Sequence, residues 1–228
     1  MSAKPIKKTD KNTPWAKKQN YKNPYAIDSI SKAQTFLIIC EGSNTEVEYL
    51  RSIPAPNADI KVQGGCGSKN ALVKEALKLR NRDEYKGRQV WCVYDMDYKG
   101  DQVGQKEDFN SSITKAESQG LKVAYANDAF ELWFVLHYKP IQQAFLRFQY
   151  YEMLSDLWQI NYVEDGKKLD FCKKLYDLIV NDKRASEKQA ILRAEALWQT
   201  QSHKPYADQN PCTNVFQLIR DLRGMKDA

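Results

Sequence analysis

QTFLIICEG, residues 34–42, decides the fold: it is apolar at every position from Phe36 to Cys40 and closes on a turn signal at Gly42. A continuous apolar run of this length, without alternation, suits a strand buried on both faces, and a parallel sheet is its natural home. Outward from it, NTEVEYLRS (residues 44–52) has helix-forming character with Asn44 or Thr45 as cap, Pro54 and Pro56 stop it, and Ile60–Gln63 reads as a short strand. SKNALVKEALKLRNR (68–82) sets Leu72, Val73, Ala76 and Leu79 on one helical stripe behind a Ser68 cap, and QVWCVYDMD (89–97) is the next strand. Residues 106–119 form a helix through Phe109, Ile113 and Ala116 with Gly120 as its stop, LKVAYAN (121–127) is a fourth strand, and Asn127 or Asp128 caps a helix running through His137. Strands alternating with helices at such short intervals predict an α/β fold with a mostly parallel sheet flanked by helices.

From Pro140 onward no convincing strand appears, and the apolar positions of LDFCKKLYDLIV and AILRAEALW recur at helical spacing. The organisation expected is therefore a core over residues 33–138 and a helical lobe over 139–228 packed on it. Residues 1–32 differ from both. They hold eight lysines, no arginine and two aspartates, which accounts for the whole net charge of +6, because the other residues carry 27 basic and 27 acidic side chains. With few apolar residues and with Pro5, Pro14 and Pro24, this segment is expected to be a flexible arm. It is either a solubilising tail or a contact for nucleic-acid phosphates, aided by Trp15, Tyr21 and Tyr25.

The composition excludes several classes. No apolar run approaches the roughly 20 residues of a membrane helix, and the lysine-rich start has no apolar segment behind it, so a cytoplasmic protein is expected. Five cysteines form no CxxC pair and no Cys/His cluster at zinc spacing, which points to reduced structural thiols. With only His137 and His203, a zinc hydrolase or a two-histidine ribonuclease has almost nothing to work with, and carboxylates are left to carry any chemistry. The glycine-rich GGCGSKN (64–70) fails the GxxxxGK[ST] spacing and reads as a turn into a helix capped by Ser68.

The carboxylates that stand out are Glu41, directly after the first strand, and Asp95 and Asp97, which close the third. All three fall at carboxyl ends of expected parallel strands, where open α/β sheets place their sites. Residues two apart in an extended segment face the same way, so Asp95 and Asp97 are expected to serve one region, joined by Glu41 from the neighbouring strand. Clustered carboxylates repel each other and a phosphate unless cations neutralise them, and hard oxygen donors suit Mg2+ or Mn2+. Gly42 removes a side chain where backbone turns close to a bound ion or phosphate, or else marks a simple tight turn. Glu46 is either a second-metal ligand or a first-turn acid favoured by the helix dipole. His137 either orients a phosphate or ends its helix, and Lys99 either stabilises transition-state charge or is merely solvated.

A strand ending in Glu-Gly, followed two β-α units later by Asp-x-Asp, looks like the Toprim domain. More narrowly, CEGSNTEVEYL, VYDMD, NDAFELWFVLHY and the late NPCTNVFQLIRDL, in order across residues 40–222, resemble the RloB family. The resemblance implies a Toprim-like fold, metal-assisted cleavage of nucleic acid, and a role in defence against phage beside restriction loci or an ATPase of the OLD type. It also implies that Glu131 completes the metal site, the alternative being a capping box with Asp128. The family often has a further acidic residue after its Asp-x-Asp and a proline before its Phe-Glu, where this chain has Tyr98 and Asp128-Ala129.

The expected activity is a nuclease in which one ion activates water and another stabilises the leaving oxygen, with Glu41, Asp95, Asp97 and Glu131 as catalytic residues and Glu41, Glu46, Asp95 and Asp97 as ligands. The alternative is a non-catalytic subunit that docks DNA or RNA, or the ATPase. Replacing Glu41, Asp95 or Asp97 by its amide is expected to abolish cleavage while the metal-free fold keeps or gains stability, because like charges crowd the site.

Overall fold

The computed structural model describes residues 34–55, 58–100 and 103–225. The basic arm expected over residues 1–32 lies outside them. The order of elements is β1 (Gln34–Cys40), α1 (Thr45–Arg51), β2 (Ala58–Gln63), α2 (Lys69–Arg80), β3 (Gln89–Asp95), α3 (Gln105–Ser118), β4 (Lys122–Asn127) and α4 (Glu131–Leu136). There follow α5 (Arg147–Trp158), α6 (Tyr162–Asp165), α7 (Leu169–Cys172), α8 (Leu175–Asn181), α9 (Glu187–Gln201), β5 (Cys212–Thr213) and α10 (Val215–Leu222). The sheet runs β2-β1-β3-β4-β5, with β1 to β4 parallel and β5 antiparallel to β4. The mixed α/β fold with a mostly parallel sheet is therefore the one the sequence predicts.

Alternation along the strands divides the interior into two layers. Leu37 and Ile39 of β1, with Cys92 and Tyr94 of β3, pack under α2 and α3 through Leu72, Val73, Ala76, Phe109 and Ile113. Phe36, Ile38, Trp91 and Val93 point the other way, into a larger core built with α1, α4 and the C-terminal helices. Both faces of β1 are thus covered, which is why its sequence shows no polar alternation. The C-terminal helices belong to this second layer: Leu154, Leu175, Ala190, Phe216 and Ile219 share it with Tyr49 and Phe134.

The structure differs from the sequence reading in three places. Ser68 does cap α2, accepting a hydrogen bond from the Ala71 amide at 3.2 Å, but Asn44, at the N-cap of α1, makes no side-chain cap bond, and neither Asn127 nor Asp128 caps α4, whose N-cap position is Phe130 with no side-chain cap bond. The alternative reading of Glu131, a capping box with Asp128, is accordingly not formed. Second, β3 ends at Asp95, and Asp97 takes a left-handed conformation (φ 54°), so the two-apart rule for extended chain does not extend to Asp97. Third, a strand does occur after Pro140: β5 pairs Thr213 with Ala126 and Cys212 with Asn127. Asn214 extends this edge with its side chain, accepting from the Tyr125 amide at 2.6 Å and donating to the Val123 carbonyl at 2.9 Å.

Candidate functional site

Parallel strands bring their carboxyl ends to one edge, and four carboxylates lie near it, neighbours in pairs. The Glu41 amide donates to the Val93 carbonyl at 3.1 Å, continuing the β1–β3 ladder one residue past the strand. Alternation then turns Glu41 toward the layer of α2, opposite to Cys40, while Asp95 shares the orientation of Trp91 and Val93 and faces the layer of α1 and α4. Glu46, in the first turn of α1, sits between the two and interacts electrostatically with both. Its Oε2 lies 2.5 Å from the place a Cβ on residue 42 would occupy. Gly42 is therefore required by the Glu46 carboxylate itself. Glu131, at the start of α4, is fully buried and faces Asp95 across the site.

Two lysines answer these charges. Lys69, buried at the first position of α2, donates to Glu41 Oε1 at 3.2 Å. Lys167, between α6 and α7, donates to Glu131 Oε1 at 2.7 Å, and the Tyr162 hydroxyl donates to the same oxygen at 2.9 Å. The second oxygens, Glu41 Oε2 and Glu131 Oε2, and Asp95 Oδ1 are buried without a hydrogen-bond partner among the described residues. Such orphaned acceptors are costly unless something outside the protein satisfies them. Burial, then the nearby Glu46 and Glu131 charges, push the Asp95 carboxyl well above the usual range, with Lys167 opposing. Burial also raises Glu41, against the pull of Lys69. Around Lys167, partial burial works against the ammonium, but Glu131 and Glu46 outweigh it and hold its pKa above the usual lysine range.

Of the residues singled out in the sequence, Glu46 is thus brought near both Glu41 and Asp95, and Glu131 near Asp95. Asp97 is engaged elsewhere, in ion pairs with the Arg147 guanidinium and, at 3.9 Å, with Lys99. Its turn is organised by Asp128, whose carboxylate accepts from the Tyr98 amide at 2.7 Å and from the Arg147 amide at 2.9 Å. His137 lies at the C-cap of α4, buried, its Nδ1 2.9 Å from the Trp133 carbonyl, and burial lowers its pKa to about 4. Lys69, Arg147, Tyr162 and Lys167 were not anticipated. Lys69 had a signal in GGCGSKN, a lysine directly behind a helix cap, whereas the other three come from distant segments with nothing local to mark them.

The donor set consists of hard carboxylate oxygens, three of them unpartnered, which is the chemistry that Mg2+ or Mn2+ takes. Among the described residues, however, no three His, Cys, Asp or Glu side chains are gathered closely enough to grip an ion as they stand. The described helices include none long and apolar enough to cross a membrane. A family model for RloB-like proteins matches residues 36–222, most of the chain. No curated protein and no solved structure matches it.

Proposed function

The chain belongs to the RloB-like family, and from that premise we propose that it is a Toprim-type nuclease that uses Mg2+ or Mn2+ to hydrolyse nucleic-acid phosphodiesters in defence against phage. The observation that supports this reading is Asp95, half-buried at the sheet's carboxyl edge near Glu46 and Glu131, with its buried Oδ1 unpartnered and no cation bonded to it among the described residues. Glu41, Glu46 and Asp95 would hold the ion. A divalent ion there supplies a water of lowered pKa and offsets charge developing on the phosphate. The protein's own groups do the rest. Lys69 and Lys167 reduce the negative charge that an approaching phosphate meets, Tyr162 fixes the Glu131 carboxylate, and Arg147 offers the phosphate a partner once Asp97 releases it. Asp97, so released, is the further candidate ligand at the rim.

The partner implied is DNA or RNA, with an OLD-type ATPase as a further candidate by family resemblance. A second reading, a docking subunit without turnover, is favoured by the absence of a preassembled three-carboxylate grip among the described residues and by the cations already on Asp97. Incubating the purified chain and its Asp95→Asn variant with a mixed DNA and RNA panel, in Mn2+, Mg2+ or EDTA, separates the two. Cleavage that needs the ion and Asp95 supports the nuclease. Binding of nucleic acid without cleavage in either ion supports the docking subunit.

A further inference from the structure

Single apolar side chains on a surface are ordinary, and they become informative where they gather around a cavity. Two do so beside Asp97. Tyr98, on the turn after β3, and Leu146, at the N-cap position of α5, are each 40 % exposed, and both line a cavity of about 320 Å³ at the carboxyl ends of β3 and β4. That volume lies at the small end of the roughly 300–1,000 Å³ of sites that enclose small ligands. Buried Met96 and Ala207 add apolar surface to its lining.

The Tyr98 ring is open although its backbone is held. One oxygen of the Asp128 carboxylate accepts from the Tyr98 amide and the other from the Arg147 amide, so a single buried side chain ties the two walls together. Gln105 fastens the same turn on both sides of Tyr98, accepting from the Lys99 amide at 3.0 Å and donating to the Asp97 carbonyl at 2.6 Å. Asn210 adds a polar demand. Its Nδ2 is spent on the Phe145 carbonyl at 3.2 Å, while its Oδ1 is buried with no hydrogen-bond partner among the described residues. Positive charge stands alongside: Lys106 lines the cavity, paired with Asp208 at 2.7 Å, and Arg147 follows Leu146 directly. Arg147 Nε is without an acceptor among the described residues, although its guanidinium pairs with Asp97.

An exposed ring on a fixed turn offers stacking, apolar walls exclude water, an orphaned acceptor asks for an N–H, and a neighbouring guanidinium suits a phosphate. We propose that this cavity receives one unpaired base of the nucleic acid, its ring against Tyr98 and an N–H of its edge toward Asn210, with the adjoining phosphate at Arg147. A base inside a duplex has its faces and pairing edge occupied, so the substrate class that follows is single-stranded, or opened at that nucleotide. The inference rests on the nucleic-acid reading above and needs no metal.

The test is anisotropy on the full-length chain in EDTA, with a labelled single strand, the same strand carrying abasic residues, and the corresponding duplex. Wild type should bind the intact single strand at least about fivefold tighter than the abasic one, the smallest effect expected of one stacked base. Tyr98→Ala should lose that preference while binding the abasic strand as wild type does, and Tyr98→Phe should keep it. Arg147→Gln should weaken both single strands alike and lower the salt slope by about 0.7, the increment for one phosphate. A wild type that binds intact and abasic strands equally, or prefers the duplex, overturns the inference, and Mn2+-dependent cleavage by that same protein leaves the nuclease standing. A wild type that neither binds nor cuts removes both. Tyr98→Ala with an undiminished preference for bases also overturns it. Should that variant not fold, irradiating the wild type with a strand that carries iodouracil decides: crosslinks at Tyr98 uphold the base site, and crosslinks confined to other residues overturn it.

Discussion

Each carboxylate of the site meets a different partner, so their amide substitutions should not behave alike. Asp95 faces Glu46 and Glu131 and is raised by burial, so Asp95→Asn removes a repelled charge, and without metal the variant should melt at or above the wild type, by about 2–4 °C for each kcal/mol relieved. Glu41→Gln should instead lose about 1–3 kcal/mol, since it strips the charge partner from buried Lys69. The sequence alone, blind to Lys69, put both on the same side. Melting of the two variants in EDTA checks the signs, and equal shifts would refute the assignment of partners. His137 supplies a pH test away from the carboxylates. Its folded pKa, lowered to about 4 by burial, lies below the roughly 6.5 of the unfolded chain. The unfolded state therefore binds the proton first, and stability fully present above pH 6.5 is lost as pH falls toward 4, by about 3 kcal/mol. His137→Asn, which keeps a donor for the Trp133 carbonyl, should lack that loss. Urea unfolding of both proteins across this range measures it, and parallel pH profiles would contradict it.

The strands and helices that the sequence made legible are those whose signals are local. β1, β3 and β4 lie where the apolar runs predicted them, and α2 and α3 follow their stripes and their Ser68 and Gly120 boundaries. β5 was invisible because two residues carry no periodicity, and its pairing is completed by a side chain, Asn214, rather than by strand backbone. At the site, Glu41 and Asp95 were legible from strand ends, but the left turn that carries Asp97 off to Arg147 depends on contacts with Asp128. The two glycines that meet across the α1 and β2 turns show how the same residue type serves different ends. At Gly42 an added Cβ meets only the carboxylate end of Glu46, a flexible group, so Gly42→Ala should leave the melting temperature within a few degrees yet displace Glu46 and weaken Mn2+ binding by about tenfold or more. At Gly64 it meets the Gly42 carbonyl and the Val47 side chain, neither free to move, so Gly64→Ala should cost about 1–3 kcal/mol. Melting curves paired with Mn2+ titration separate the two, and a Gly42→Ala variant with wild-type metal affinity would detach Glu46 from the site.

At the scale of the molecule, the sheet gathers acids at one edge while the lysine-rich segment carries the net charge. Residues beyond 32 are balanced in sign, and the carboxylates of Glu41, Glu46, Asp95 and Glu131 sit near the carboxyl edge of the sheet, where a phosphate would meet acidic groups. Lys69, Lys167 and Arg147 temper that repulsion locally, but each is already paired with an acid. Long-range attraction for a polyanion must then come from the eight lysines of residues 1–32, which have only two aspartates among them. Binding through such lysines releases counterions, and the logarithm of affinity falls with the logarithm of salt by about 0.9 per neutralised phosphate on duplex DNA and about 0.7 on single strands. Deleting residues 1–32 from the Asp95→Asn protein should therefore flatten that slope by about one of these increments for each phosphate the arm neutralises, and weaken binding most at low salt. Anisotropy of a labelled oligonucleotide in EDTA over a salt series measures it. If residues 1–32 serve to bring a nucleic-acid strand to the protein, the same deletion in the otherwise wild-type protein should raise KM and spare kcat. An unchanged salt slope would make the segment a solubilising tail and leave the encounter to Arg147 and the lysines around the site.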